Sequence, residues 1–120
     1  MRRIVLFAAF LIFFAVVTTA YAHPPSDIKI TFEPNAKVLT AVVMHNVSDP
    51  LSHYIKKVDV GLNGKEIIKE NISRQDNNAY QMVSYLIPDV KDGDLISVEG
   101  YCSISGKLKK EIVAKMPKAK

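Results

Sequence analysis

The segment from Tyr54 to Ile72 reads YIKKVDVGLNGKEIIKENI and contains the strongest hairpin signal in the chain. Its first half alternates in character and places Val58, Val60 and Leu62 on one side of an extended chain. The dipeptide Asn63-Gly64 follows, and both residues tolerate the positive φ angles that a type I′ turn requires. The stretch therefore predicts a β-hairpin with strands at 54–62 and 65–72.

Short apolar runs separated by turn residues continue on both sides of this hairpin, and no segment has a sustained helical period. The other predicted strands are 28–32, 37–44, 79–87, 95–102 and 107–115. Seven short strands in a domain of about 100 residues are typical of a β-sandwich. The chain has no tryptophan and only one cysteine, so it lacks the core tryptophan and disulfide of a true immunoglobulin domain. We expect an all-β fold, a seven-stranded immunoglobulin-like antiparallel β-sandwich.

Residues 1–22 have the pattern of a secretory signal peptide. Two arginines precede an apolar run from Ile4 to Val17, and the segment closes on the small-x-small triplet Ala20-Tyr21-Ala22. The run has 14 residues, fewer than the roughly 20 that a membrane-spanning helix needs. We therefore expect a periplasmic or secreted domain, 23–120, without stable membrane insertion after cleavage. An uncleaved N-terminal anchor is the alternative.

The charge of the predicted mature domain is small. The whole chain carries a net charge of +4, which becomes +2 when Arg2 and Arg3 are removed. A weakly basic, exported domain with scattered lysines argues against nucleic acid as a partner. The oligomeric state is not indicated by the sequence.

The residues with chemical potential are few, and four of them are predicted to meet. His45 and His53 stand near the two ends of MHNVSDPLSHY (44–54), His23 begins the mature chain, and Cys102 ends the sixth predicted strand. In an antiparallel sandwich every second connection lies at the same end. The loops after the second, fourth and sixth strands therefore share one end with the mature N-terminus. The sequence predicts that all four residues lie at this end.

Imidazole and thiolate together suit iron, zinc, copper or nickel, and exclude calcium or magnesium as the natural guest. A lone cysteine in an exported chain also has two other uses, an intermolecular disulfide or a buried unpaired thiol. A single histidine is usually a surface or hydrogen-bonded residue. The hypothesis of a metal site rests on the predicted convergence of His23, His45, His53 and Cys102.

Two segments resemble a known family. His45-Asn46-Val47 through His53-Tyr54-Ile55 is similar to the H-P-M…H-Y-I segment of superoxide reductases, the desulfoferrodoxin and neelaredoxin family. The segment from Gly100 to Gly106, GYCSISG, resembles their Y-C-N-x-H-G segment. His23 lies upstream of His45 at about the distance of the family's first ligand histidine. The resemblance covers essentially the whole mature domain.

The resemblance implies a superoxide-reductase-like sandwich with non-haem Fe2+ held by histidines and one axial cysteine thiolate. It implies reduction of superoxide to peroxide, with a small redox protein as electron donor. Carried over to this chain, Cys102 is the axial thiolate, and His45, His53 and His23 are equatorial ligands. The family's last ligand histidine is replaced by Ser105, a poor iron ligand, so the resemblance leaves the enzymatic activity open.

Two other readings remain. If cleavage follows Ala22, the α-amine and imidazole of His23 form a chelating pair that favours copper, and the protein is then a copper carrier. In the other reading the protein is a metal-free interaction module, and the histidine end of the sandwich is its binding surface.

Overall fold

The computed structural model describes residues 23–117 and shows an antiparallel β-sandwich. Its seven strands are β1 (Asp27–Glu33), β2 (Val38–Met44), β3 (Ile55–Leu62), β4 (Lys65–Asn71), β5 (Tyr80–Leu86), β6 (Leu95–Cys102) and β7 (Lys107–Val113). One sheet has the order β1-β2-β5 and the other β4-β3-β6-β7. The predicted fold is confirmed, with strand ends that differ from the prediction by up to two residues. The predicted signal peptide, 1–22, lies outside the described residues.

The hairpin predicted from Asn63-Gly64 joins β3 to β4. Asn63 has a φ of 51° and Gly64 a φ of 85°, as a type I′ turn requires. The N–H of Asn63 donates to the carbonyl of Leu95, which ties the turn to the start of β6. The Asn63-Gly64 dipeptide therefore predicted the hairpin correctly, because the turn depends on the conformations of these two residues.

The core lies between the two sheets and is built mainly from β2, β3 and β6. Leu39, Ala41 and Val43 alternate along β2 and are fully buried. Val58 and Val98, on the paired strands β3 and β6, cover them from the other sheet. Side chains alternate between the two faces of a strand. The pairing of β3 with β6 therefore also determines which residues at the ends of these strands face the interior.

The connections predicted to share one end do so. The N–H of His45, after β2, donates to the carbonyl of Ala79 in the β4–β5 connection. The N–H of Ser103, after β6, donates to the carbonyl of Tyr54, just before β3. This end of the sandwich, with the segment that precedes β1, carries the histidines. Among residues 23–117 no helix has the length and apolar composition that crossing a membrane requires.

Candidate metal centre

The segment before β1 brings His23 to the end of the sandwich. Pro24 lies against the β6–β7 turn so closely that a Cβ on Gly106 would stand 2.9–3.0 Å from it. Pro25 is buried beside Gly100 of β6. The two prolines restrict the backbone of the segment, and the two glycines leave room for it.

The loop between β2 and β3 presents the other two histidines. His45 directly follows β2 and is only 1% exposed. Asp49 organises the turn before His53: its carbonyl accepts the N–H of His53 at 3.0 Å, and its carboxylate accepts the N–H of Leu51 at 3.0 Å. His53 is half-buried. The loop thus holds one imidazole inside the protein and one at its rim.

The three imidazoles form one compact cluster. His23, His45 and His53 each offer a ring nitrogen, and these nitrogens all lie within 4.8 Å of one another. Their ring centroids are 4.7–5.0 Å apart, and the rings are inclined to each other by 51–86°. An ion bonded to imidazole nitrogens at about 2.0–2.1 Å keeps its donors roughly 3–4 Å apart. The cluster therefore has the dimensions of a site that could hold a metal ion.

Cys102 adjoins this cluster through one member. Its Sγ lies 3.2 Å from Nε2 of His53 and accepts the N–H of Ile104 at 3.5 Å. The thiol is free and buried. Cys102 does not belong to the group whose ligand atoms are all within 4.8 Å of each other. The three histidines therefore form the centre, and the sulfur flanks it on the side of His53.

A buried glutamine, Gln75 in the β4–β5 connection, holds the ring of His45. Its Oε1 lies 2.8 Å from Nδ1 of His45, and its Nε2 donates to the carbonyls of His45 (2.8 Å) and Asn77 (2.9 Å). Because both carbonyls require a donor, the orientation of the amide is determined, and Oε1 must face the imidazole. An amide oxygen only accepts, so this contact is a hydrogen bond when Nδ1 of His45 carries the proton.

The opposite nitrogen of the same ring has an unusual neighbour. Nε2 of His45 lies 3.2 Å from the carbonyl oxygen of His23. With the proton on Nδ1, a neutral His45 presents a lone pair at Nε2, and two acceptors then face each other. A metal cation bound at Nε2 would relieve this repulsion. Histidine ligands commonly donate their other ring N–H to a protein acceptor, and Oε1 of Gln75 is positioned to accept from His45 in this way. The donor set thus fits a metal of the iron, copper or zinc group.

The surroundings of His53 favour its neutral imidazole. Partial burial lowers the pKa of His53 below its ordinary value, and the neighbouring His45 and His23 lower it further. Metal ligation requires the neutral ring. The crowding of three imidazoles therefore prepares His53 to accept a metal ion rather than a proton.

Ser105 lies at the surface, where the resemblance would place a fourth histidine. It lines a shallow depression with Cys102, and the same depression is flanked by Lys56 and Lys107. None of the three histidines lines this depression. Cys102 therefore separates the imidazole cluster from a positively charged surface recess.

The structure brings together His23, His45 and His53, and it places Cys102 in contact with His53, so the predicted convergence occurs. Their ligation of a metal stays a prediction. Sequence reasoning treated residues 74–78 only as a polar loop at this end and so missed Gln75. The available signal was that this loop shares an end with the histidines and contains a side chain with both a donor and an acceptor.

Comparison of the chain with models of protein families, with curated proteins and with solved structures found no significant match. The fold and the site therefore define the class by themselves. The chain is an all-β sandwich with a cluster of three histidines that could bind a metal ion.

Proposed function

We propose that this protein is an exported, superoxide-reductase-like metal-binding protein that holds non-haem iron through His23, His45, His53 and Cys102. The observation that carries the proposal is a cluster of three imidazoles with a buried thiol 3.2 Å from one of them. Histidine and thiolate together select borderline and soft metals over calcium and magnesium. The GYCSISG and H-Y-I segments favour iron among those metals.

The proposed reaction is the one-electron reduction of superoxide. Iron held by these residues would supply the one electron that, together with two protons, converts superoxide to hydrogen peroxide, and a small redox protein would return that electron. The chain contributes the rest. Lys56 and Lys107 flank the recess that Cys102 also lines, and Lys107 lies 3.9 Å from the carboxylate of Glu99. Ile104 donates its N–H to the sulfur at 3.5 Å, which helps to hold Cys102 beside His53.

The test is a spectroscopic one. The purified protein is loaded with Fe2+ without oxygen and then oxidised, and we expect a thiolate-to-iron charge-transfer band. Cys102→Ser should abolish the band, and Ser105→Ala, a change in the adjacent turn, should keep it. A Cys102→Ser variant with an unchanged spectrum would rule out ligation by the sulfur. Analysis of the metal in untagged protein purified from its host then identifies the natural guest.

Copper is the second candidate, and the position of His23 favours it. Its backbone carbonyl already lies 3.2 Å from Nε2 of His45, so the first residue of the predicted mature chain stands at the cluster. An α-amine on that residue would chelate copper together with the ring. The mature protein should then bind copper more tightly than a form with one extra residue before His23. Equal affinities exclude the amine.

A further inference from the structure

We propose that Gln75 is a positioning residue that selects the tautomer of His45 and so makes Nε2 the metal-binding atom. The metal-binding part of this inference rests on the proposed function; the part that concerns the tautomer does not. Gln75 is 2% exposed and His45 is 1% exposed, so water competes little for their hydrogen bonds. Two acceptors compete for the single N–H proton of a neutral His45.

The first acceptor is the amide oxygen of Gln75, 2.8 Å from Nδ1. The second is the carbonyl oxygen of His23, 3.2 Å from Nε2. A neutral imidazole carries one N–H and can donate to only one of them. The contact with Gln75 is the shorter, and the amide cannot rotate without losing its bonds to the carbonyls of His45 and Asn77. Gln75 therefore holds the proton on Nδ1.

The backbone around Gln75 keeps this arrangement in place. The N–H of Gln75 donates to the carbonyl of Pro50 at 3.1 Å, which joins the β4–β5 connection to the loop that carries both His45 and His53. Asn77 in turn accepts the N–H groups of Ala79 and Tyr80 through its Oδ1. The backbone on both sides of the Gln75 side chain is thus held in place. Groups that orient ligand histidines typically change metal affinity by about 10–100-fold when they are removed.

Replacement of Gln75 by a residue without hydrogen-bonding groups has a specific consequence. In Gln75→Met the acceptor at Nδ1 is lost, while the carbonyl of His23 remains. The proton of His45 should then move to Nε2, where it can donate to that carbonyl. Nε2 is now blocked, and a metal ion must displace the proton to bind there.

The experiment measures the ring 13C and 15N chemical shifts of His45 in the metal-free protein, which distinguish the two tautomers. Titration with Co2+ and Zn2+ follows. We expect the Nδ1–H tautomer in the wild type, the Nε2–H tautomer in Gln75→Met, and a fall of about 10–100-fold in metal affinity in that variant.

Gln81→Met is the matched control. Gln81 is also buried, and its side chain bonds to Asp76 and to the carbonyl of Met82 rather than to a histidine. This variant should keep the wild-type tautomer and the wild-type affinity.

The possible outcomes separate the two proposals. An Nε2–H tautomer in the wild type overturns the inference, even if Gln75→Met does not fold. An unchanged tautomer in a folded Gln75→Met variant overturns it as well. If the tautomers behave as expected but the wild type binds none of Co2+, Zn2+ and, without oxygen, Fe2+, the positioning role stands and the proposed function fails.

Discussion

Nε2 of His53 lies 3.2 Å from Sγ of Cys102, although 49 positions separate the two residues along the chain. The pairing of β3 with β6 brings them together, since Ile55 is the register partner of Cys102 and His53 precedes it by two residues. The register shifts by one residue between Ile55 and Lys57, so that Ile55 is buried in the core together with Val58 and Val60. The contact between the imidazole and the sulfur is therefore a consequence of core packing.

The lowered pKa of His53 predicts how stability depends on pH. Its ordinary value is 6.5, and partial burial with the adjacent His45 and His23 lowers it in the folded protein. Below about pH 6.5 the unfolded chain therefore binds more protons than the folded one. The contribution of His53 to stability is complete above this pH and is lost as the pH falls through the lowered pKa.

We expect urea unfolding of the metal-free protein to show a free energy of unfolding that decreases between about pH 7.5 and about pH 5.5. His53→Asn should show a shallower decrease, because the remaining dependence then comes from other groups. Equal slopes for the wild type and the variant would contradict the prediction.

The contact between Gly106 and Pro24 predicts that the β6–β7 turn controls the position of His23 in the candidate metal site. Gly106→Ala places a Cβ at 2.9–3.0 Å from the side chain and backbone of Pro24, so the segment that carries His23 must move. Gly64→Ala is the matched control, since Gly64 has a similar positive φ but no atom within 4 Å of the added Cβ. Both variants should lose roughly 1–2 kcal/mol from backbone strain.

Only Gly106→Ala should also weaken Zn2+ binding, by about tenfold or more, as expected when a ligand is misplaced. Isothermal titration calorimetry measures the affinities and urea unfolding the stabilities. Equal zinc affinities in the two variants would show that the position of His23 is independent of the turn.

A hydrogen bond between the sheets predicts a separate effect on stability. The hydroxyl of Tyr85 on β5 donates to the carboxylate of Glu70 on β4 at 2.7 Å. Tyr85→Phe removes the donor and should cost about 1–2 kcal/mol of unfolding free energy. Glu70→Gln keeps an acceptor and should cost less. A larger loss in Glu70→Gln than in Tyr85→Phe would contradict this account.

The same bond has a pH dependence at the alkaline end. Burial raises the pKa of Tyr85 above its ordinary value of 10.0, and the hydrogen bond to Glu70 raises it further. In the unfolded chain the tyrosine ionises near its ordinary value, so its contribution is present below about pH 10 and is lost above it. The difference in stability between the wild type and Tyr85→Phe should narrow as the pH rises above about 10.

If the histidine cluster binds a metal ion, the metal should stabilise the folded protein against heat. A ligand at about 100 times its Kd that binds only the folded state adds about 2.7 kcal/mol. For a domain of this size that corresponds to a rise in Tm of roughly 10–20 °C. We expect Zn2+ to produce such a rise, Ca2+ to produce none, and His53→Ala to lose most of the effect of zinc. If no transition metal raises Tm, the result would favour the alternative of a metal-free interaction module.

The sequence predicted the parts of this structure that depend on local chemistry and on alternation. Asn63-Gly64 located the β3–β4 hairpin, and the alternation of Leu39, Ala41 and Val43 is that of a strand with one face in the core. The direction of successive strands then placed His45 and Cys102 at one end. None of these inferences required knowledge of how the two sheets pack.

The remaining features depend on contacts between distant segments. The order of strands within each sheet follows from packing, and it was not predicted. The position of His23 depends on Pro24 and Gly106, which are far apart in sequence and carry no sign of their contact. The role of Gln75 depends on the contact of its side-chain amide with His45, which belongs to a different loop.

The donors of the cluster come from both layers of the sandwich. His45 directly follows β2, which belongs to one sheet. His53 precedes β3 in the other sheet, and the adjoining Cys102 is the last residue of β6 in that same sheet. A single cysteine leaves this small domain without an internal covalent crosslink. An ion bound by these side chains would link the two sheets. Its loss would allow the sheets to separate first at that end of the sandwich.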